Sequence, residues 1–133
     1  MVATGQRPVI CRSRELVDRG RGIRFTVRRH GEAAPAFVIR FGGAVHAYLN
    51  RCAHRSLELD WSEGEFFDAF GEHLLCATHG ARYAPASGTC VGGPCGGAGL
   101  VKLAVSEQNG DVLLEPGDDI QLIHSGAVHR LFP

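Results

Sequence analysis

The first twenty residues, Met1 to Gly20, contain no apolar run. Neither a secretory signal nor a membrane span is expected there, and the default expectation is a cytoplasmic protein with no membrane partner. Net charge is also missing: 14 basic residues balance 14 acidic ones. The arginines are not interleaved with aromatics, which sets nucleic acid aside as a partner. No internal repeat, low-complexity segment or helix longer than about two turns can be read in the chain. The cysteine count is odd, at five, so a fully paired disulfide framework is excluded. In a reducing compartment cysteines serve more often as ligands or thiols than as cross-links.

What the chain does have is glycine, 18 of 133 residues, which favours turns and β structure. The length fits one domain, 1–133, able to bury a core without disulfides. Charge is distributed unevenly. Residues 1–55 carry 11 Arg against three acids, a balance of +8, and residues 56–133 carry the opposite balance. Folding is expected to interleave the two halves; the sharper alternative is a dipolar surface that steers a charged partner.

Alternation places the strands. Pro8–Cys11 opens the chain, and one helical turn follows over 13–17 with Ser13 as its N-cap. Ile23, Phe25 and Val27 alternate with Arg24, Thr26 and Arg28, a half-buried strand with a wet arginine face. His30–Pro35 reads as a loop. Phe37–Phe41 and Val45–Leu49 form a hairpin around Gly42-Gly43. A second hairpin, 66–70 with 73–76, turns at Gly71. Residues 92–97 are irregular. Residues 100–106 alternate as one strand, and Asn109-Gly110 turns it into Val112–Leu114. The packed core is expected over about 8–115, with a tail over 117–133. The fold class is all-β, a small antiparallel sandwich or barrel.

Ligand chemistry is concentrated between Cys52 and His79. Cys52-Ala53-His54 and Cys76-Ala77-Thr78-His79 each offer one thiol and one imidazole, and each follows a strand. Such donors suit zinc, copper or iron–sulfur clusters, not magnesium or calcium. Zinc usually takes paired cysteines and a separate histidine pair, and Cys-x-His is tight for two ligands of one tetrahedral ion. A [2Fe–2S] cluster with thiolates on one iron and imidazoles on the other suits mixed knuckles, since each loop then supplies one ligand to each iron. His124 and His129 in the tail have no acidic third ligand at useful spacing.

The pattern Cys-x-His…Cys-x-x-His resembles the Rieske iron–sulfur proteins. Arg55, Gly80, Gly88 and Gly93-Pro94 resemble the family's flanks. The resemblance covers about residues 8–115. It implies a Rieske-type β fold with a cluster-binding subdomain, about 50–97, histidines near solvent, and a [2Fe–2S] cluster held by Cys52, His54, Cys76 and His79. The family's high-potential branch carries an extra cysteine in each cluster loop and a serine after the second histidine. Here Leu57, Thr78 and Ala81 stand at those positions, which resembles the ferredoxin and oxygenase branch. A potential toward the low end of about −150 to +300 mV is therefore expected. Tyr83 departs from that branch, which usually has Phe at this site where the high-potential branch has Tyr; a hydroxyl donating to a ligand sulfur would raise the potential.

The implied function is a one-electron carrier, not itself an enzyme, taking electrons from a ferredoxin reductase and passing them to a terminal oxygenase. The alternative is a redox-sensing or accessory module in a partner complex. The connector of 21 residues, 55–75, carries six acids and is a candidate docking surface for a basic partner. Cys90 and Cys95 are expected to remain thiols, and Cys11 to sit in the core.

Overall fold

A computed structural model of the chain describes residues 7–52, 57–95, 97–115 and 120–124. Strand β2 (Ile23–Arg29) puts Ile23, Phe25 and Val27 inward, as the alternation predicts. It pairs antiparallel with β3 (Glu32–Phe41), which pairs in turn with β4 (Ala44–Leu49). On the other side of β2 lies β11 (Ile120–His124), and beyond β4 lies β8 (Lys102–Leu103), giving the order β11-β2-β3-β4-β8. A second sheet joins β1 (Val9–Arg12), β10 (Asp111–Leu114) and β9 (Val105–Gln108). The inner faces of the two sheets share one core that includes Ile10, Phe25, Val27, Val38, Leu49, Val112 and Leu114. The tail therefore contributes an edge strand. His129 and the side chain of His124 lie outside the described residues.

A third, smaller sheet carries the ligand-bearing region: β5 (Leu74–Leu75), β6 (Arg82–Tyr83) and β7 (Cys90–Gly92). Its core is aromatic and sulfur-rich, with Phe37, Tyr48, Phe66, Tyr83, Cys52, Cys76 and Cys95. Phe37 and Tyr48 come from β3 and β4, whose opposite faces belong to the first core. Burial on both faces explains why Phe37-Val38-Ile39 reads as a continuous apolar run rather than an alternation. The second predicted hairpin is present around Gly71. Phe67 bridges Leu74, and Leu75 donates its N–H to Phe66 O at 2.8 Å.

Three local readings are corrected by the fold. His30–Pro35 is not a loop; only His30-Gly31 turns, with φ 51° at His30, and β3 begins at Glu32. Pro35 lies opposite Asn50, just past the end of β4; Asn50 N donates to Pro35 O at 2.8 Å, and Pro35 has no N–H to return, so the β3–β4 ladder stops there. Residues 100–106 are not one strand. Ala104 O accepts from Glu115 N at 2.9 Å, and there the chain leaves the five-stranded sheet for the three-stranded one. The first helical turn is a 3-10 turn, Ser13–Glu15, capped at Arg12, whose N–H donates to Glu15 Oε2 at 2.9 Å.

The charge halves interleave as expected. Arg7 meets Glu115 at 2.8 Å, Arg24 meets Glu58 at 2.6 Å, and Arg40 meets Glu107 at 2.6 Å. Arg40 also donates to Leu16 O and Ser13 O, so one guanidinium ties the 3-10 turn, β3 and β9 together.

Candidate metal centre

Cys52 stands three residues past the end of β4, and Cys76 directly follows β5. Both are buried, at 4% and 0% exposure, and neither is bridged to another cysteine. His79, three residues on, is exposed. His54 lies outside the described residues. The structure thus brings Cys52, Cys76 and His79 to one end of the molecule, thiols inside and imidazole outside.

Two loops hold these residues. Cys52 N donates to Leu57 O at 2.7 Å, which closes the first. In the second, Cys76 N donates to Ala81 O and Gly80 N donates to Cys76 O, both at 2.8 Å. Ala77 N reaches Leu59 O at 3.0 Å and joins the second loop to the connector. Asn50, fully buried after β4, anchors the connector by accepting from Leu59 N and donating to Asp60 Oδ1, each at 2.9 Å. Asp60 Oδ2 accepts from Gly64 N at 3.0 Å. These bonds cross from a strand end to an irregular segment, which no period in the sequence predicts.

The irregular stretch from Gly92 to Cys95, the cover loop, lies against the second knuckle. At Gly93 a Cβ would meet Gly80 O at 2.6 Å and Ala81 Cα at 2.8 Å, a clash with backbone that only glycine avoids. Gly88 is in the same situation against the Tyr48 ring, at 2.7 Å. The Tyr48 hydroxyl donates to Pro85 O at 2.6 Å, and burial pushes its phenol well above the usual range.

The sulfurs sit among donors. Tyr83 Oη is 3.2 Å from Cys52 Sγ, and both are buried. Burial is the largest influence on the Cys76 thiol and pushes it up. Cys52 adds to that rise, while the backbone N–H groups of His79 and Thr78 pull it back. Those N–H groups, with the Tyr83 hydroxyl, favour thiolate over thiol. Two buried sulfurs flanked by hydrogen-bond donors fit a soft metal group, which binds the ionised form and releases protons on binding. Among the described residues no three His, Cys, Asp or Glu side chains converge on one point. A two-iron group asks for only two protein ligands at each iron.

The sequence reading missed the state of Cys90 and Cys95. They are a disulfide, with Cα atoms 6.0 Å apart, and not thiols. The turn through Gly92-Gly93-Pro94 folds the end of the cover loop back onto the start of β7, which brings the two residues within bridging range. Arginines of the same chain meet the connector acids at three points. Arg24 pairs with Glu58 and lies 3.5 Å from Asp60; Arg21 pairs with Glu65 at 3.3 Å and donates to Glu63 O. Asp68 faces His73 at 3.4 Å. Glu58, Asp60 and Glu65 thus face arginines of the same chain, and the connector also holds Trp61 and Phe70 outward, 83% and 81% exposed.

Two loops set over an antiparallel β base, with buried thiols beneath an exposed imidazole, define an all-β metal-binding module. The chain belongs to the Rieske [2Fe–2S] domain family, whose model matches residues 6–107. The family's cofactor is a [2Fe–2S] cluster. The fold is similar to that of the ferredoxin of carbazole 1,9a-dioxygenase from Nocardioides aromaticivorans IC177, at 23% identity and TM-score 0.66, over 84% of this chain and 99% of that one. The Sphingomonas yanoikuyae B1 ferredoxin superposes with TM-score 0.65 at 20% identity, over 84% of this chain and all of that one. A chain in a complex of reduced oxygenase and oxidized ferredoxin of carbazole 1,9a-dioxygenase matches at 25% identity and TM-score 0.62, over 81% of this chain and 91% of that one. No curated protein sequence matches. Among the described residues no helix is long and apolar enough to cross a membrane.

Proposed function

We propose that Cys52, His54, Cys76 and His79 hold the cluster, and that the protein is a soluble carrier of single electrons from a reductase to an oxygenase-type acceptor. The observation that carries this reading is the buried Cys52–Tyr83–Cys76 group beneath the exposed His79. When bound, the cluster accepts and returns one electron without an open position for substrate. The residues around it do the rest. Cys52 and Cys76 keep one end of the site out of water. His79 brings the other end to the surface, where an acceptor can approach. The N–H groups of Thr78 and His79 and the Tyr83 hydroxyl stabilise negative charge on the sulfurs, and that charge grows on reduction. Reduction therefore needs little rearrangement, which suits a carrier.

The likeness to a ferredoxin in complex with its oxygenase supports an oxygenase as acceptor. Because Glu58, Asp60 and Glu65 of the connector pair with arginines of the same chain, docking would rest less on charge and be only weakly sensitive to salt. The test is spectroscopic. Purified protein should be red-brown, with a rhombic EPR signal on reduction, and Cys52→Ser or Cys76→Ser should remove both. A colourless preparation containing zinc would reject the cluster reading. Failure to reduce with NAD(P)H and a ferredoxin reductase would reject the carrier role.

A further inference from the structure

The Cys90–Cys95 disulfide lies within the loop that covers the site. Cys90 is in register with Tyr83 across the β6–β7 pair, and the Tyr83 hydroxyl reaches Cys52 Sγ. Gly93, inside the disulfide ring, presses on Gly80 and Ala81 of the second knuckle. The cross-linked ring thus touches both knuckles, one through Tyr83 and the other through Gly80. We propose that Cys90–Cys95 is a site of thiol–disulfide exchange, opened by a dithiol, whose state sets how closely the cover loop seals the cluster. The second half rests on the ligand assignment above.

The surroundings suit both states of the pair. Cys95 Sγ lies 3.3 Å from Gly92 O and 3.9 Å from Arg82 O, and Cys90 Sγ lies 3.9 Å from Gly92 O. Disulfide sulfurs carry no proton. After reduction the Cys95 thiol donates to Gly92 O, so the buried product keeps a partner. Access is one-sided: Cys90 is half-buried, whereas Cys95 is 3% exposed. An incoming thiolate reaches the Cys90 sulfur, and Cys95 leaves as a thiolate that takes up a proton. The second thiol of the reagent then attacks the mixed disulfide, the reagent becomes a cyclic disulfide, and Cys90 is released as a thiol. Two electrons and two protons move to the pair. This is separate from the one-electron change of the cluster and needs only the dithiol. Without the cross-link, Val91–Pro94 opens more often, and the seal over the knuckles loosens with it.

The experiment uses the holoprotein in reduced or oxidised dithiothreitol, followed by alkylation with iodoacetamide and peptide mass analysis. Before reduction, Cys90 and Cys95 should be unlabelled; after it both should be labelled, with Cys52 and Cys76 still protected. The visible absorption of the cluster should then bleach in air about tenfold faster, reverting on reoxidation. The EPR g-values should shift. A Cys90→Ser/Cys95→Ser double variant should behave like the reduced form and ignore dithiothreitol. Labelling of both cysteines before reduction would overturn the exchange site. Bleaching rates and g-values identical in the oxidised protein, the reduced protein and the variant would overturn the coupling. A preparation with this labelling pattern and no cluster spectrum would sink the ligand assignment and the coupling, and would support the exchange site.

Discussion

The β base and the metal-bearing end are built on different terms. The base relies on long ladders: β3 runs ten residues and β2 seven, and their core is aliphatic apart from Phe25 and Cys11. The metal-bearing end has strands of two and three residues, too short to hold a sheet by pairing. It is held by buried rings, by side chains bonded to backbone, and by glycines that let backbones approach. A ladder tolerates exchange of one apolar residue for another. A network of single contacts does not, and it keeps the site loops in one geometry, which a metal group with fixed ligand directions requires.

Phe66→Ala is the strongest way to break this difference. Its ring stacks on Phe37 at 3.9 Å and lies against Gly22, so it joins the metal-bearing end to the base. Truncation should cost about 3–5 kcal/mol. The loss should be local. Hydrogen exchange should show the amides of Leu75 and Cys76 opening well before those of β2 and β3. Equal acceleration in both regions would mean that the molecule is a single cooperative unit and would remove the distinction.

Arg40 tests the base from its own side. The Glu107 hydrogen bond is the largest influence raising the guanidinium, and the same bond holds Glu107 below the ordinary glutamate value against a smaller opposing effect of burial. Because the folded Glu107 pKa lies below the unfolded one, the stabilisation is complete above the ordinary glutamate value. It fades as pH falls through the depressed folded pKa. Arg40→Met should cost about 2 kcal/mol at neutral pH and flatten the acid limb of the stability curve. The cluster spectrum should be unchanged, because among the described residues the Arg40 side chain bonds only to the base. A variant whose acid limb matches the parent's would remove Glu107 as its cause.

The two regions were also unequally legible. Base strands announce themselves by alternation, as at Ile23–Val27, or by turn residues such as Asn109-Gly110. Errors there were local: Pro35 hid the start of β3, and the change of sheet at Ala104 left no mark on the pattern. At the metal-bearing end the grouping of Cys52 and Cys76, buried, with His79, exposed, was legible from spacing and chemistry, whereas their support was not. The Asn50–Asp60 bond and the pairing of connector acids with Arg21 and Arg24 depend on contacts between segments far apart in the chain. The Cys90–Cys95 bridge depends on the path of an irregular loop, and residue spacing alone does not determine that path.

Tyr83→Phe is the gentlest probe and reaches the point where the two regions differ most. The substitution keeps the ring in the aromatic core and removes only the hydroxyl 3.2 Å from Cys52 Sγ. One neutral hydrogen bond is worth about 1 kcal/mol, so the stability of the base should hardly change. The bond should be stronger in the reduced state, where the sulfur carries more negative charge. Its loss should therefore lower the midpoint potential. With about 59 mV per tenfold change for one electron, a differential of about 0.5–1.5 kcal/mol corresponds to a fall of about 20–60 mV. Protein-film voltammetry of parent and variant reads this directly. A fall of that size with unchanged thermal stability would show the hydroxyl acting on the cluster and not on the packing. An unchanged potential would place the hydroxyl's bond to Cys52 outside the tuning of the centre.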